Sequence, residues 1–480
     1  MTGTPPAETA FRVADRLGAD GPWDVFGERL RRYEIHLTGR SVEMARGPIV
    51  LEGYGIRLLR PRDGRTGVGF QASTDLSDAG VRSALAEAEA VARHSVFPAR
   101  SVALPSAVTS RAAPVEVRDR VLWDRPMEAL EAHVATLLAA FDGRADVAPS
   151  FGSLRATLAE ASIANSSGAR TSFAHTTVEL EIAVKASGGP EGPPPGEYWV
   201  NDTFRRLDPG RVPGEVEAWC GFARDVRRAR PTPSGDRPVV LPPCVVAGIL
   251  PSVLGYRFTG GARLREVAPA EGTVVGVPEL SVRDDGRVPW AIASAAVDHE
   301  GTPQRSRTLV SNGAVSGLLY DLLHGAAFEV PSTGNGIRGA EWFRDWRRFL
   351  HAPAPTSTTI VIEPGTSGTD PEVVEAAGDG IWVQQLGWAV PDPLSTAFGG
   401  EVRIGYRIRN GKLAEPVRGG TVGGVVLAPP GSPSMLSTIG ALGSDAVLAE
   451  GVLSPTILVK GLTVAGPGAG GGLTSWPDRG

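Results

Sequence analysis

Four turn signals, each set between runs of strand-like residues, constrain this chain more than any other feature. They are Arg62-Asp63-Gly64-Arg65, Asn165-Ser166-Ser167-Gly168, Ser311-Asn312-Gly313 and Arg409-Asn410-Gly411-Lys412. Asp-Gly and Asn-Gly reach the left-handed backbone that a tight hairpin requires at low cost, so each joins two neighbouring antiparallel strands. The Asn-Ser-Ser-Gly turn works through side-chain bonds to its own backbone. With 61 Gly and 40 Pro among 480 residues, the chain has punctuation for many turns. Helical bundles are excluded on that count, and antiparallel sheet is expected.

The helices stand out by their period. Ser77 caps a helix whose apolar positions Val81, Ala84, Leu85, Ala88, Val91 and Ala92 share one face. Others are expected at Ala7–Leu17, from Asp124 with Pro126 in its first turn toward Phe141, and at Glu215–Arg227. Strands are expected at 32–37, 49–51, 54–59, 67–72, 154–163 and 170–185, and Ser187–Gly196 reads as a loop or flap. The second half carries strands at 306–310, 315–320, 358–362, 381–385, 402–408, 413–417 and 456–462. Short helices fit at Asp370–Ala377 and Met435–Leu442. The fold class is therefore α+β. An N-terminal antiparallel sheet with flanking helices is expected over 1–228 and a Pro- and Arg-rich linker over 229–238. A strand-rich, barrel-like domain follows over 239–465, then a Gly-rich tail over 466–480.

Charge and cysteine content exclude several functions. The net charge of −5 offers no basic field for nucleic acid or an anionic membrane. Two cysteines, Cys220 and Cys244, rule out a disulfide scaffold and suit a reducing compartment. Their apolar surroundings make both structural rather than catalytic. The uncharged run Val239–Tyr256 is broken by Pro242, Pro243 and Pro251, so it reads as a strand, a turn and a short buried helix, not a membrane span. The N-terminus lacks the pattern of a signal peptide, and a cytoplasmic location is expected.

Recognised catalytic motifs are missing. The seven His include no helical pair at metal-binding spacing, and Cys-x-x-Cys, Gly-x-Ser-x-Gly and the P-loop do not occur. Gly466–Gly471 matches a dinucleotide fingerprint in letters, but no helix follows it. One acidic cluster remains, Asp284-Asp285 with Asp298-His299-Glu300-Gly301. It suits acid–base or cation chemistry, and equally well plain turns. The loop Ser332-Thr333-Gly334-Asn335 either lets a ligand or partner approach the backbone or simply connects two elements.

Taken in order, several segments resemble the TldD/PmbA family, also described as modulators of DNA gyrase. They are Gly53-Tyr54-Gly55-Ile56-Arg57, Asp63-Gly64-Arg65-Thr66-Gly67, the 76–94 helix, Ala164-Asn165-Ser166, Asp284-Asp285, Asp298-His299-Glu300-Gly301, Asn312-Gly313-Ala314-Val315, Ser332-Thr333-Gly334-Asn335, Phe398, Asn410-Gly411-Lys412 and Pro416-Val417. The resemblance implies one of two chain types. The TldD type is a zinc peptidase with His-Glu-x-x-x-His on a helix and a later Cys; the PmbA or TldE type lacks these and pairs with it to cut unfolded or modified peptides. Here Pro251, Ser252 and Tyr256 stand at the motif positions, and 442–455 holds no Cys. The resemblance thus implies a PmbA/TldE-like subunit with no catalytic or metal residues of its own and zinc in a partner. That partner would be a TldD-type subunit, or a second copy of this chain. Asp298, Glu300, Ser332, Thr333, Gly334 and Asn335 are then expected to face substrate or partner. The alternatives are a homodimeric peptide-binding protein, and a self-sufficient tailoring enzyme using Asp298, Glu300 or Tyr256.

Overall fold

The computed structural model describes residues 8–187, 194–339, 346–387 and 389–468. Its first half is a seven-stranded antiparallel sheet with helices on one face. The elements run α1 (Thr9–Leu17), β1 (Trp23–Thr38), β2 (Ser41–Arg62), β3 (Arg65–Ser73), α2 (Asp78–Ala92), β4 (Val96–Phe97), α3 (Arg120–Asp124), α4 (Pro126–Ala139), β5 (Val147–Asn165), β6 (Arg170–Ala186), β7 (Gly196–Phe204) and α5 (Val212–Arg228). The strand order is β4-β3-β2-β1-β5-β6-β7. The expected α+β class and N-terminal antiparallel sheet are both present. Strands expected as short pieces are long: the stretch around 32–37 belongs to a 16-residue strand, and 49–59 to one of 22 residues. Backbone pairing carries the chain through the polar positions that broke up the pattern.

Side-chain alternation gives the sheet two different faces. Val25 on β1 and Ile56 and Leu58 on β2 pack under α1 and α2. Ile35 and Leu37, on the same face of β1, pack with Leu154, Ala156 and Leu158 under α4 and α5. Four helices thus cover one face. The opposite face carries Phe26, Ala161 and Ile163, which meet Val297 and Phe349 of the second half.

Ser77 caps α2 as expected, its Oγ accepting from the Gly80 N–H at 3.1 Å. The helix lies close on β3, where a Cβ on Gly69 would stand 1.9 Å from the Ala88 carbonyl oxygen. The hairpin turns follow their residues. Asp63 and Gly64 have φ of 44° and 74°, Asn312 and Gly313 47° and 79°, and Asn410 and Gly411 49° and 71°.

The second half centres on β10 (Val239–Leu241), which pairs parallel to Gly380–Gly387 and antiparallel to Ile457–Val459. The ten-stranded sheet around it curls into a half-barrel, the barrel-like architecture expected. A six-stranded sheet, including 282–285, 306–311 and 360–362, completes the layer. Helix α6 (Pro243–Arg257) rides between the sheets, with Val246, Ile249, Leu250, Val253 and Leu254 in the main core. This is the strand, turn and buried helix expected from the proline-broken apolar run.

The 229–238 stretch is built into the sheets. Arg230–Pro231, β8, pairs with 412–418, and Gly235–Asp236, β9, pairs with Thr463–Ala465. A helix expected over Met435–Leu442 is instead one 3-10 turn, Leu436–Thr438, followed by a strand, Ile439–Leu442, paired with 457–459. A free sheet edge outcompetes local propensity there. Most of the 187–196 flap and of the 466–480 tail lies outside the described residues.

Gly69→Ala is expected to destabilise the chain by about 1–3 kcal/mol, since backbone must move to admit the methyl group. Gly221→Ala, in the middle of α5 with nothing within 4 Å of its Cβ, is expected to stabilise by about 0.5–1 kcal/mol. Chemical denaturation of the two variants checks both signs.

Candidate functional site

A cavity of about 440 Å³ lies between the uncovered face of the first sheet and helix α6. The sheet supplies cross-strand rows. Leu30 on β1 pairs with Ala159 on β5, which pairs with His175 on β6; Thr157 pairs with Thr177. Glu28, Glu179 and Thr203 extend the same wall. The opposite wall is α6, which turns Ala247, Gly248, Pro251 and Ser252 to the space. These are i, i+1, i+4 and i+5, one helical stripe. Proline has no N–H, so Pro251 leaves the Ala247 carbonyl without its helical donor. Arg348 and Glu450 line the cavity too.

The charges at this site are tied to protein partners. Glu28 accepts the Arg348 backbone N–H at 3.0 Å, and the Arg348 Nη1 donates to the carbonyls of Arg338 and Gly339 at 3.2 and 2.6 Å. Glu179 pairs with Arg32 at 2.9 Å, and the Arg32 guanidinium lies 5.2 Å from the ring centre of Trp346. Burial, then the nearby Arg205 and Arg348, hold the His175 pKa well below its usual value. Burial and the cations of Arg348 and Arg338 do the same to His299, whose ring stacks 6.3 Å from Phe173. A neutral imidazole therefore faces the cavity.

Of the degenerate motif positions, Pro251 and Ser252 line the cavity. Tyr256 does not; its hydroxyl accepts from Arg265 Nη1 at 2.9 Å. Zinc requires imidazole, thiolate or carboxylate donors grouped around one point. Among the described residues no three His, Cys, Asp or Glu side chains are so grouped. The donor set does not fit the metal that the resemblance associates with this helix.

The acidic cluster lies elsewhere and does a different job. Asp298 and Glu300 are fully buried where the two halves meet. Arg57 of β2 donates through Nε to Asp24 of β1 at 2.7 Å and through Nη1 to Glu300 at 2.6 Å. Arg338 donates to the other Asp24 oxygen at 2.9 Å. Leu322 N–H closes on Glu300 at 2.8 Å. Asp298 accepts from the N–H groups of Glu300, Thr302 and Gly336 at 3.0, 2.8 and 2.9 Å; burial still pushes its pKa up to about 7. Asn335 is buried and donates to Asp284 at 2.7 Å, while Thr333 donates to Asn335 at 2.6 Å. Gly334 is buried, with φ of 82°. Residues expected to face substrate or partner are thus mostly internal. Ser332 and Thr333 are the partly exposed members of the set, and they line a second cavity.

His175, Glu28 and Arg348 were not singled out by the sequence reading. The signal available was the two-residue period of β1, β5 and β6, which puts 28 and 30, 157 and 159, and 175, 177 and 179 on one face.

Residues 234–466 match the family model described as the PmbA/TldA metallopeptidase C-terminal domain. The second half of this chain is a TldD/PmbA-family domain. The resemblance carried by the ordered motifs is borne out. The chain is 26% identical over 272 residues to a "Metalloprotease TldD homolog" of Haemophilus influenzae, covering 53% of this chain and 55% of that one. It is 25% identical over 244 residues to a protein of the same name from Buchnera aphidicola, covering 48% and 49%. The matched segments span about half the length of these curated relatives. The crystal structure of TldE from Thermococcus kodakarensis superposes with a TM-score of 0.77 at 18% identity, covering 95% of this chain and 99% of that one. The TldE fold therefore extends over both halves of the described chain. No helix among the described residues is long and apolar enough to cross a membrane.

Arg57→Ala would leave Asp24 and Glu300 buried without their shared cation. It is expected to cost about 3–5 kcal/mol in denaturant titration. The imidazoles of His175 and His299 are expected to titrate below 6.5 when followed by NMR. Their stability contribution is full above the unfolded value, near 6.5, and is lost as pH falls through the folded one, because only the unfolded chain takes up those protons.

Proposed function

We propose that this chain is the non-catalytic, PmbA/TldE-like member of a cytoplasmic peptidase pair whose zinc is carried by a TldD-type partner. The observation that carries the reading is the identity of the α6 stripe. Ala247, Gly248, Pro251 and Ser252 form the wall of the cavity on the helix where the resemblance expects His and Glu. None of the four is a metal donor of the imidazole, thiolate or carboxylate kind. The cavity, about 440 Å³, falls within the range of small-ligand sites and has room for a few residues of an extended peptide. Its polar groups suit main-chain recognition: Thr177 and Ser252 offer hydroxyls, and the Ala247 carbonyl lacks its helical donor. In this reading the chain binds and orients a segment of an unfolded or modified peptide, and the partner's metal cuts it.

The reading is tested by affinity purification of the full chain from its native cell, with co-purifying chains identified by mass spectrometry and zinc counted. A stoichiometric partner bearing His-Glu-x-x-x-His and about one zinc per pair is expected. Stoichiometric zinc and peptidase activity in the isolated chain would overturn it. Gly248 is exposed to the cavity with nothing within 4 Å of its Cβ, so Gly248→Leu fills the space without disturbing the helix. That variant is expected to keep its partner and its melting temperature, and to lower peptide turnover by the pair about tenfold or more.

A further inference from the structure

The second cavity, about 610 Å³, is walled by the end of the short helix Gly260–Leu264 and the residues after it, Arg305 with the start of the strand Ser306–Ser311, the 315–320 segment and the Ser332-Thr333 loop. Three arginines line it, Arg263, Arg305 and Arg307, against one carboxylate, Glu271. All three arginines are exposed on the solvent side of the fold. Among the described residues none of them has a carboxylate oxygen within 4.0 Å, unlike Arg57 and Arg338 in the interior. Two are nonetheless held in place by neutral groups. Arg263 Nη1 donates to the Tyr320 hydroxyl at 2.9 Å, with its guanidinium 4.2 Å from the centre of the Phe328 ring. Arg307 Nε donates to the Leu318 carbonyl at 2.8 Å. Ser332 is fixed by donating to the Tyr320 carbonyl at 3.1 Å. Val315, Leu318, Val330 and Pro331 supply apolar wall.

Guanidiniums that are oriented but not neutralised present forked donors suited to a planar or tetrahedral oxyanion. We infer that this cavity is an anion-binding site that takes a carboxylate or phosphate group carried on a partly apolar body. The cation excess supplies the attraction, the stacked and backbone-bonded arginines supply the geometry, and the aliphatic wall supplies contact for the rest of the ligand. The inference does not depend on the metal-free reading of the first cavity, since the two share no lining residue.

Calorimetric titration of the full chain tests it with three probes: phenyl phosphate, N-acetyl-leucine and the neutral N-acetyl-leucinamide. Saturable binding is expected for at least one of the two anions at millimolar concentration, and none for the amide. The tighter anion assigns the source as phosphate or carboxylate. Arg305 makes no side-chain hydrogen bond or ion pair among the described residues, so Arg305→Gln is expected to leave the melting temperature unchanged. It is expected to weaken anion binding about tenfold, and the Arg305→Gln/Arg307→Gln pair more. Arg125→Gln, on an exposed helix start elsewhere, is the charge control and is expected to change nothing. No binding of either anion, equal binding of the amide, unchanged affinity in the Arg305 and Arg307 variants, or equal weakening by Arg125→Gln would each overturn the inference.

Discussion

The rest of the structure depends on one buried set of charges. Arg57 and Arg338, both fully buried, share Asp24, and Arg57 also holds Glu300. Two of these groups come from the first sheet and two from the second half. Charges withdrawn from water are tolerated only with close partners and good geometry. The halves therefore have little freedom to slide over one another, because any displacement would strand a charge. Asp298 reinforces the arrangement by gathering three backbone N–H groups beside Glu300, one of them from Gly336, where a Cβ would stand 2.1 Å from the Glu300 carboxylate.

That docking creates the main cavity. The uncovered face of the β1–β5–β6 sheet would be an exposed mixed surface by itself, and α6 would present a short stripe of small residues. Brought together they enclose about 440 Å³ lined by Glu28, His175, Gly248 and Ser252. Helix α6 is suited to this place because Val246, Ile249, Leu250, Val253 and Leu254, on its other side, lie in the core. Small residues on the stripe leave the space open. The same pairing of elements that buries the ion network thus decides what the chain can hold.

Much of the architecture was legible beforehand. Asp63-Gly64, Asn312-Gly313 and Asn410-Gly411 adopt the positive φ angles that their chemistry favours, so the hairpins could be read from local rules. The helix after Ser77 was marked by its cap and period, and the helix at Asp370–Ala377 has the boundaries read for it. Strand lengths were not legible, because pairing extends a strand through polar positions that interrupt its pattern. The Ile439–Leu442 strand was missed for the same reason: its partner, Ile457–Val459, is remote in sequence and decides its conformation.

The sequence by itself determined the hairpins, the capped helices, the α+β class and the identity of Pro251 and Ser252 on the helix after β10. All of these follow from interactions between residues close along the chain or from residue chemistry alone. Only the tertiary structure decided that Asp298 and Glu300 are internal supports, that Tyr256 turns away to Arg265, and that His175 and Arg348 meet at one cavity. A carboxylate beside a glycine looks the same in sequence at a surface turn and in a buried ion network. What distinguishes them is the cation that reaches it, and for Glu300 that cation is Arg57, 243 residues away.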